Sequence, residues 1–396
     1  MRGIELISRD PAAWTAILQE RAETDAVVVR HVRAVSLGDG FTRYFLTLKG
    51  HSDPITLIGK RTTPTEAAFY RDFSARLGFL APRCWYSYVD EERGWVVMED
   101  VPNDRPPRRW GDRDVERVVG NLAALHIACW NRVEDLRVFD WLPWRLWPMG
   151  IESSRSRKLN AGLLSLGDLE MPASHALASA GPLIGEFERA ARCLERLQQG
   201  GPWPGVIEQE HIDALADLLD DPVPMLYPLR SLPSTLLHGE PGLRHWRLTL
   251  FGDCNLLDWR TVCIGPSLCD LVSFIEDMER VHTLDAGRQP REVTQLRAET
   301  IVDTYLLRLY EALWPLFNAR EVRKAMPAAH CLYIITHWLP ILDDWVAPLS
   351  PDNATPAYSP RITEQQLRQA GRLAAVRYRP YLTDLFQRFL HAYRNL

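Results

Sequence analysis

The stretch from residue 236 to residue 271 decides the fold, and it reads LLHGEPGLRHWRLTLFGDCNLLDWRTVCIGPSLCDL. Leu236 and Leu237 predict a short buried strand, which stops at the His-Gly pair that follows. Two further β-type runs, 246–251 and 254–257, flank a Gly-Asp pair that is typical of a hairpin turn. The stretch therefore predicts a small antiparallel sheet with polar loops at its rim.

Two carboxylates stand at the ends of these predicted strands. Glu240 follows the first strand and Asp258 follows the hairpin, so we expect both side chains on the same rim of the sheet. Metal-assisted phosphoryl transfer needs such a pair, one carboxylate near the attacking hydroxyl and one on the ion that bridges the phosphates. The pattern therefore indicates phosphoryl transfer, with Glu240 and Asp258 as the catalytic candidates.

Four short motifs in this stretch match the motifs of a known family. They are His238-Gly239, Leu257-Asp258-Trp259, Gly265-Pro266 and Asp270-Leu271. In this order and spacing they resemble the aminoglycoside phosphotransferase and choline-kinase-like branch of the protein-kinase fold, which includes ecdysteroid-kinase-like members. The resemblance implies a small-molecule kinase in which Asp258 binds a metal ion. Asp270 is expected to hold the loop backbone, and His238 to support the loop.

The catalytic loop departs from the family pattern at two positions. Glu240 stands where the family has its catalytic Asp, and His245 stands where it has a metal-binding Asn. Mg²⁺ prefers oxygen ligands, whereas an imidazole suits softer ions such as Mn²⁺ or Zn²⁺. Three possibilities stay open: one metal bound through Asp258 alone, a site of Asp258 and His245 that prefers Mn²⁺ to Mg²⁺, or a protein that no longer transfers phosphate.

A Gly-x-Gly turn precedes these motifs in the chain. Gly38 and Gly40 lie between two predicted strands, 26–35 and 44–48. The turn is either an ordinary hairpin or a glycine loop whose backbone N–H groups cover the phosphates of a nucleotide.

A lysine and a glutamate follow the turn in the order found in kinases. The strand 55–59 ends at Lys60, and Glu66 comes at the start of a predicted helix. In kinases such a lysine contacts the α- and β-phosphates, and such a glutamate holds the lysine in place. Taken singly, Lys60 could be a solvated residue at a strand end. Glu66 could be an acidic residue that the helix macrodipole favours at a helix start. Their order favours a nucleotide site.

Residues 96–101 resemble the family's hinge, where backbone groups receive the adenine of a nucleotide. Met98 and Glu99 are therefore predicted to contact ATP or GTP, although Met98 would serve equally well as a core residue. Within the later segment 131–235, the tryptophans at 141, 144 and 147 either line an acceptor pocket or belong to the core.

We predict an α+β, bilobal, protein-kinase-like fold, with a small β-rich N-lobe and a large, mostly helical C-lobe. The predicted N-lobe is 1–101, the linker 102–110 and the C-lobe 111–396. The C-lobe contains a helical insert at 131–235 and the catalytic loop at 236–271. Helices are predicted at 112–130, 182–199, 207–220, 271–283, 292–317, 320–346, 363–377 and 379–394, the last with Pro380 in its first turn. His126 is expected to be a core residue.

Composition excludes several other classes of protein. A net charge of −5 and a pI near 6.1 do not indicate the basic surface that binds nucleic acid. The seven cysteines are an odd number without a C-x-x-C pair, which disfavours a disulfide scaffold or a zinc cluster. The N-terminal residues lack the apolar core of a signal peptide, and the apolar segment 328–342 is too short to span a bilayer. We therefore expect a cytoplasmic protein that contacts neither membrane nor nucleic acid.

The leading hypothesis is an ATP-dependent phosphotransferase that acts on a hydroxyl of a metabolite, natural product or antibiotic. The alternative is a catalytically impaired relative that binds a nucleotide, a small ligand or a protein partner, which the altered Glu240 and His245 would explain.

Overall fold

The computed structural model describes residues 9–23, 26–148, 181–285, 296–347, 358 and 362–396. The middle of the predicted insert, 149–180, and the first residues of the helix predicted at 292–317 lie outside the described residues. None of the helices in the described part of the chain combines the length and apolar composition that crossing a bilayer requires.

Five antiparallel strands form one sheet near the N-terminus, in the order β1-β2-β3-β5-β4. They are β1 (Val29–Gly38), β2 (Phe41–Leu48), β3 (Ile55–Thr62), β4 (Cys84–Val89) and β5 (Gly94–Glu99). Lys60 lies on the central strand β3, where it pairs with Phe41 on one side and Val96 on the other. A position between two hydrogen-bonded neighbours holds the backbone of Lys60 rigidly.

Two helices cover opposite faces of this sheet. Helix α1 (Pro11–Ala22) packs Trp14 against Tyr44, with ring centroids 4.6 Å apart, in a cluster that includes Val97. Helix α2 (Pro64–Asp72) belongs to the main core, together with Val96. Adjacent residues of a strand point to opposite faces, so Val96 and Val97 anchor one helix each.

The rest of the described chain is mostly helical and surrounds two small sheets. Strand β6 (Ser234–Leu237) pairs with β9 (Cys263–Pro266), and β7 (Trp246–Leu248) pairs with β8 (Cys254–Leu256). The helices are α3 (Asp112–Ala128), α4 (Val133–Leu136), α5 (Ile184–Gly200), α6 (Gln209–Asp220), α7 (Val223–Arg230), α8 (Leu268–Asp285), α9 (Ala298–Leu313), α10 (Ala319–Lys324), α11 (Met326–Tyr333), α12 (Leu339–Val346), α13 (Glu364–Gln369) and α14 (Leu373–Tyr393). This is the predicted α+β architecture; the lobe boundaries themselves stay predictions.

The strand predicted at 246–251 is shorter in the structure and ends at Leu248. The backbone N–H of Thr249 donates to the carbonyl of Asp253 at 3.0 Å, and Gly252 has a φ of +98°, so the chain has already turned by that point. Phe251, at the tip of the turn, is 96% exposed, because a turn residue has no sheet partner to cover it.

Two predictions for the C-terminal helices were wrong. The single helix at 320–346 is divided into α10, α11, a π-helical turn (Ile334–Trp338) and α12. Pro327 and Pro340, near the starts of α11 and α12, have no N–H to donate, which interrupts the regular bonding. Pro380 lies inside α14 rather than in its first turn, because the preceding break falls at Gly371, whose φ is +70°.

Candidate active site

Lys60 lies at the centre of a buried group of charges. Its Nζ donates to Glu66 Oε1 at 2.9 Å and Oε2 at 2.7 Å, and to Asp258 Oδ1 at 2.8 Å. The Lys60 side chain is 7% exposed and that of Glu66 is fully buried. The structure thus brings Glu66 and Asp258 together on Lys60, with 198 positions of sequence between Lys60 and Asp258.

Glu66 is positioned by the start of α2. The Thr63 hydroxyl caps this helix by accepting the Glu66 N–H at 3.2 Å, and Pro64 occupies the first turn. The Glu66 carboxylate also accepts the backbone N–H of Trp259 at 3.0 Å. Trp259 in turn stacks on Phe69 of α2, with centroids 4.2 Å apart. Helix α2 is therefore fastened to the segment that carries Asp258.

Asp258 follows β8 in an unusual backbone conformation, with φ +68° and ψ +61°. Asp tolerates this left-handed region better than most residues with a side chain. The Arg260 guanidinium donates two hydrogen bonds to the Asp258 carboxylate, from Nε to Oδ1 at 2.6 Å and from Nη2 to Oδ2 at 2.6 Å. Burial raises the pKa of Asp258, but the hydrogen bonds and charges of Arg260 and Lys60 outweigh it and hold this pKa well below its usual range.

The loop between β6 and Glu240 is held by a buried carboxylate on α8. Asp270 Oδ2 accepts the backbone N–H of His238 at 2.7 Å, and Oδ1 accepts that of Gly239 at 2.9 Å. The supporting role predicted for Asp270 is confirmed. Gly239 has a φ of +88°, and a Cβ there would lie 2.1 Å from the carbonyl oxygen of Thr261, so only glycine fits. His126 is fully buried, as expected, with Nε2 3.3 Å from Asp270 Oδ2.

Glu240 projects from this loop, and its side chain is 38% exposed. Its Oε1 accepts a hydrogen bond from Arg244 Nη2 at 2.7 Å. Among the described residues nothing donates to Oε2 of Glu240. The backbone of Gly242, with a φ of −62°, has a conformation that any residue can adopt. A Cβ at Gly242 would lie 3.1 Å from Asp277 Oδ2, so the glycine leaves room for that carboxylate.

His245 is buried beside Asp258, with Nδ1 3.5 Å from Asp258 Oδ2. Arg244 donates from Nε to Nε2 of His245 at 2.9 Å. Burial lowers the pKa of His245 to about 3, and the neighbouring His238, Arg244 and Lys60 act in the same direction. His245 is therefore neutral, and because its Nε2 accepts a hydrogen bond, the ring proton is on Nδ1.

A cavity of about 600 Å³ opens beside Lys60 and Asp258. It is lined by Met98, Glu99 and the following residues to Asn103, a run that overlaps the segment 96–101 predicted to receive the nucleotide base. Leu37 and Phe41, at the flanks of the Gly-x-Gly turn, line the same cavity, whereas Gly38 and Gly40 are not among its lining residues in the described part of the chain. The nucleotide contacts predicted for Gly38 and Gly40 stay predictions.

A second cavity, of about 370 Å³, is lined by Glu240. Arg244 lines both cavities and so marks the place where they adjoin. Five of the side chains that line the second cavity are aromatic and come from the C-terminal helical region: Tyr333, His337, Trp338, Trp345 and Tyr378. The tryptophan segment of the predicted insert does not contribute; Trp141 instead donates to Asp72 Oδ2 at 2.8 Å.

The sequence profile of APH, the Phosphotransferase enzyme family, matches residues 31–299, more than half of the chain. The chain belongs to this family. Membership, together with the sheet and helices described above, confirms the predicted kinase-like α+β fold. It also implies, in general terms, a small-molecule phosphotransferase that uses a nucleotide and a divalent metal ion.

Several solved structures are similar to the chain. A choline kinase from Cryptosporidium parvum Iowa II is 12% identical with a TM-score of 0.44, over 97% of this chain and 96% of that one. An aminoglycoside phosphotransferase from Alicyclobacillus acidocaldarius is 15% identical with a TM-score of 0.42, over 92% and 93%. An ethanolamine kinase from Plasmodium vivax is 11% identical with a TM-score of 0.42, over 81% of each chain. No curated protein matches the chain in sequence.

The residues at the family's metal position do not fit a divalent ion in the arrangement observed. Both oxygens of Asp258 are bound by Arg260, and one of them also by Lys60. His245 directs a protonated Nδ1 towards Asp258 and has its other nitrogen occupied by Arg244. Within the described ranges, no group of three or more His, Cys, Asp or Glu side chains is arranged to hold a metal ion. The metal role predicted for His245 and Asp258 therefore has no support from this donor set.

Arg244, Arg260 and the aromatic cavity were not assigned from the sequence. Arg260 directly follows the Asp-Trp motif and Arg244 precedes His245, so the sequence places both arginines beside the motif residues. Their partners were not, because the hydrogen bonds depend on the left-handed turn at Asp258 and on the burial of His245.

Proposed function

We propose that this chain transfers a phosphoryl group from ATP or GTP to a hydroxyl of a small molecule such as a metabolite, natural product or antibiotic. The observation that carries the proposal is the contact of Lys60 with both Glu66 and Asp258 beside a nucleotide-sized cavity. A second cavity containing Glu240 adjoins the first, which provides room for an acceptor. Phosphoryl transfer needs two such adjoining sites.

In this proposal Lys60 binds the α- and β-phosphates, and Glu66 keeps the Lys60 ammonium in position. The acceptor hydroxyl oxygen forms a bond to the γ-phosphorus while the bond from that phosphorus to the bridging oxygen breaks, and the nucleoside diphosphate leaves. Glu240 takes the hydroxyl proton on Oε2. Arg244, which lines both cavities, lies where negative charge on the transferred group would be stabilised.

The aromatic cavity suits a hydroxylated acceptor that carries a ring and no net charge. Its two carboxylates are both neutralised: Glu240 by Arg244, and Asp277 by Arg280, whose Nε donates to it at 2.8 Å. Asp277 also accepts the backbone N–H of Leu243 at 2.7 Å. No unpaired carboxylate among the described lining residues is left to attract an ammonium group. Aromatic walls bind the faces of rings instead.

A second candidate is a protein that binds nucleotide or acceptor without transferring phosphate. The occupied oxygens of Asp258 and the neutral His245 favour it, because these positions would otherwise hold the metal ion. Lys60, Glu66 and Asp258 are retained and favour the enzyme.

A transfer assay with Glu240→Gln distinguishes the two candidates. The purified chain is incubated with γ-labelled ATP or GTP and a panel of alcohols, and labelled product is measured. If Glu240 is the base, Glu240→Gln lowers kcat about 10²–10⁴-fold with the nucleotide Kd unchanged, because a base acts in the transition state. Glu364→Gln is the matched control, since Glu364 also pairs with an arginine four residues later.

Full activity of Glu240→Gln would exclude Glu240 as the base. Absence of labelled product from the wild type across the panel, with nucleotide binding intact, would establish the binding protein instead.

A further inference from the structure

We infer that guanidinium groups of this chain occupy the position of the divalent ion, so that the nucleotide binds in the cleft without a metal. This inference rests on the proposed function, because it concerns how the same cleft receives the phosphates. Arg260, which is hydrogen-bonded to Asp258, and Arg244, which is hydrogen-bonded to His245, take the place of the ion.

The first observation is the geometry around Asp258. Arg260 makes two parallel hydrogen bonds of 2.6 Å to the two carboxylate oxygens. A guanidinium bound in this way matches both the charge and the planar shape of a carboxylate. The two residues are two positions apart on one tight turn, so the pair forms locally and needs no rearrangement elsewhere. Lys60 adds a third donor on Oδ1 at 2.8 Å.

The second observation concerns the position where the family has a metal-binding Asn. His245 is buried, its Nε2 accepts from Arg244 at 2.9 Å, and its Nδ1 faces Asp258 Oδ2 at 3.5 Å. A histidine binds a metal only through a nitrogen with a free lone pair, and neither nitrogen offers one here. For a metal to bind between His245 and Asp258, Arg244 and Arg260 would both have to leave.

The third observation is that cationic side chains line the cleft. Lys60, Arg244 and Arg247 all line the larger cavity. Arg247 is held by the carbonyl oxygens of Arg244 at 2.8 Å and Trp246 at 3.1 Å. A nucleoside triphosphate needs cations along its phosphates, and these side chains supply positive charge where an ion otherwise would.

Calorimetry with ATP, in EDTA and then in saturating Mg²⁺, tests the inference directly. We expect the wild type to bind ATP in EDTA with a Kd within about threefold of that in Mg²⁺. In Arg260→Gln the negative charge of Asp258 is no longer neutralised by Arg260 and repels the phosphates. The affinity of this variant for ATP in EDTA should therefore fall by about tenfold, equivalent to about 1.4 kcal/mol. Arg308→Gln, which removes a similarly exposed arginine paired with Glu311, should change neither Kd.

A metal titration without nucleotide provides an independent measurement. Mn²⁺ should not bind to the wild type at this site, and its paramagnetic resonance signal should remain that of the free ion. The double variant Arg260→Gln with His245→Asn frees Asp258 and restores an amide oxygen, so it should bind Mn²⁺ and acquire Mg²⁺-dependent ATP binding.

The outcomes separate this inference from the proposed function. ATP binding by the wild type that requires Mg²⁺, or Mn²⁺ binding that Arg260→Gln leaves unchanged, would overturn the inference while the proposed function stands. No binding of ATP or GTP with or without metal would overturn both.

Discussion

Replacing Asp270 with Asn should release the loop that carries Glu240. The carboxylate of Asp270 is fully buried and accepts two backbone N–H groups, from His238 at 2.7 Å and from Gly239 at 2.9 Å. An asparagine has one acceptor oxygen and presents an NH₂ group in place of the other. Asp270→Asn therefore keeps the volume and removes one acceptor opposite a buried donor.

The size of the effect follows from these two contacts. Losing a hydrogen bond to a charged acceptor costs about 1.5–3 kcal/mol, and leaving a buried amide without a partner costs about 1–3 kcal/mol. Because the two costs overlap, we expect the free energy of unfolding to fall by about 3 kcal/mol. In a chain of this size Tm should drop by about 4 °C.

Thermal unfolding and hydrogen exchange measure the global and the local part of this effect. The amides of residues 238–239 should exchange about 100-fold faster in Asp270→Asn. The control is Asp303→Asn, an exposed carboxylate paired with Arg323, which should change stability by no more than about 0.5 kcal/mol. Unchanged exchange at residues 238–239 in Asp270→Asn would refute the support that we assign to Asp270.

Two further predictions concern Lys60 and Glu276. Lys60→Met should weaken ATP binding, measured by calorimetry, by at least about tenfold. The control Lys49→Met, on an exposed turn, should leave ATP binding unchanged. Equal affinity of Lys60→Met and the wild type for ATP would exclude Lys60 from the phosphate site. Burial raises the pKa of Glu276, but His330 and Arg388 outweigh it and lower the pKa to about 2 from 4.5. This stabilisation, about 3 kcal/mol for the whole shift, is present above pH 4.5 and is lost as the pH falls towards 2. Arg388→Gln removes one of the two partners, so it should flatten the acid limb of the stability profile by part of this amount.

The fold and most of the site could be predicted because their signals are local. Lys60 and Glu66 are six positions apart, and the motifs from His238 to Asp270 follow one another without a long gap. The contact of Lys60 with Asp258 spans 198 positions and was predicted only through the order of these motifs in the family. Order in the sequence was sufficient because the fold fixes which strand ends meet.

The errors arose where a single residue overrode a periodic pattern. Apolar spacing continued through 320–346, yet Pro327 and Pro340 lack the N–H that a continuous helix needs. Gly371, at a φ of +70°, ended α13 where the pattern placed a helix. In the site, Arg260 and Arg244 were missed because a guanidinium finds its partner only through tertiary geometry.

The contacts that hold α2 against Trp259 have a consequence for how the protein could be regulated. To move α2 outward, the chain would have to part Phe69 from Trp259 and take Glu66 away from both Lys60 and the Trp259 amide. Separating a buried ion pair costs about 3–5 kcal/mol, which would leave fewer than about one molecule in a hundred in the displaced form. A helix so attached cannot work as an on–off switch. For the proposed phosphotransferase, we therefore expect turnover to depend on the supply of nucleotide and acceptor rather than on a movement of α2.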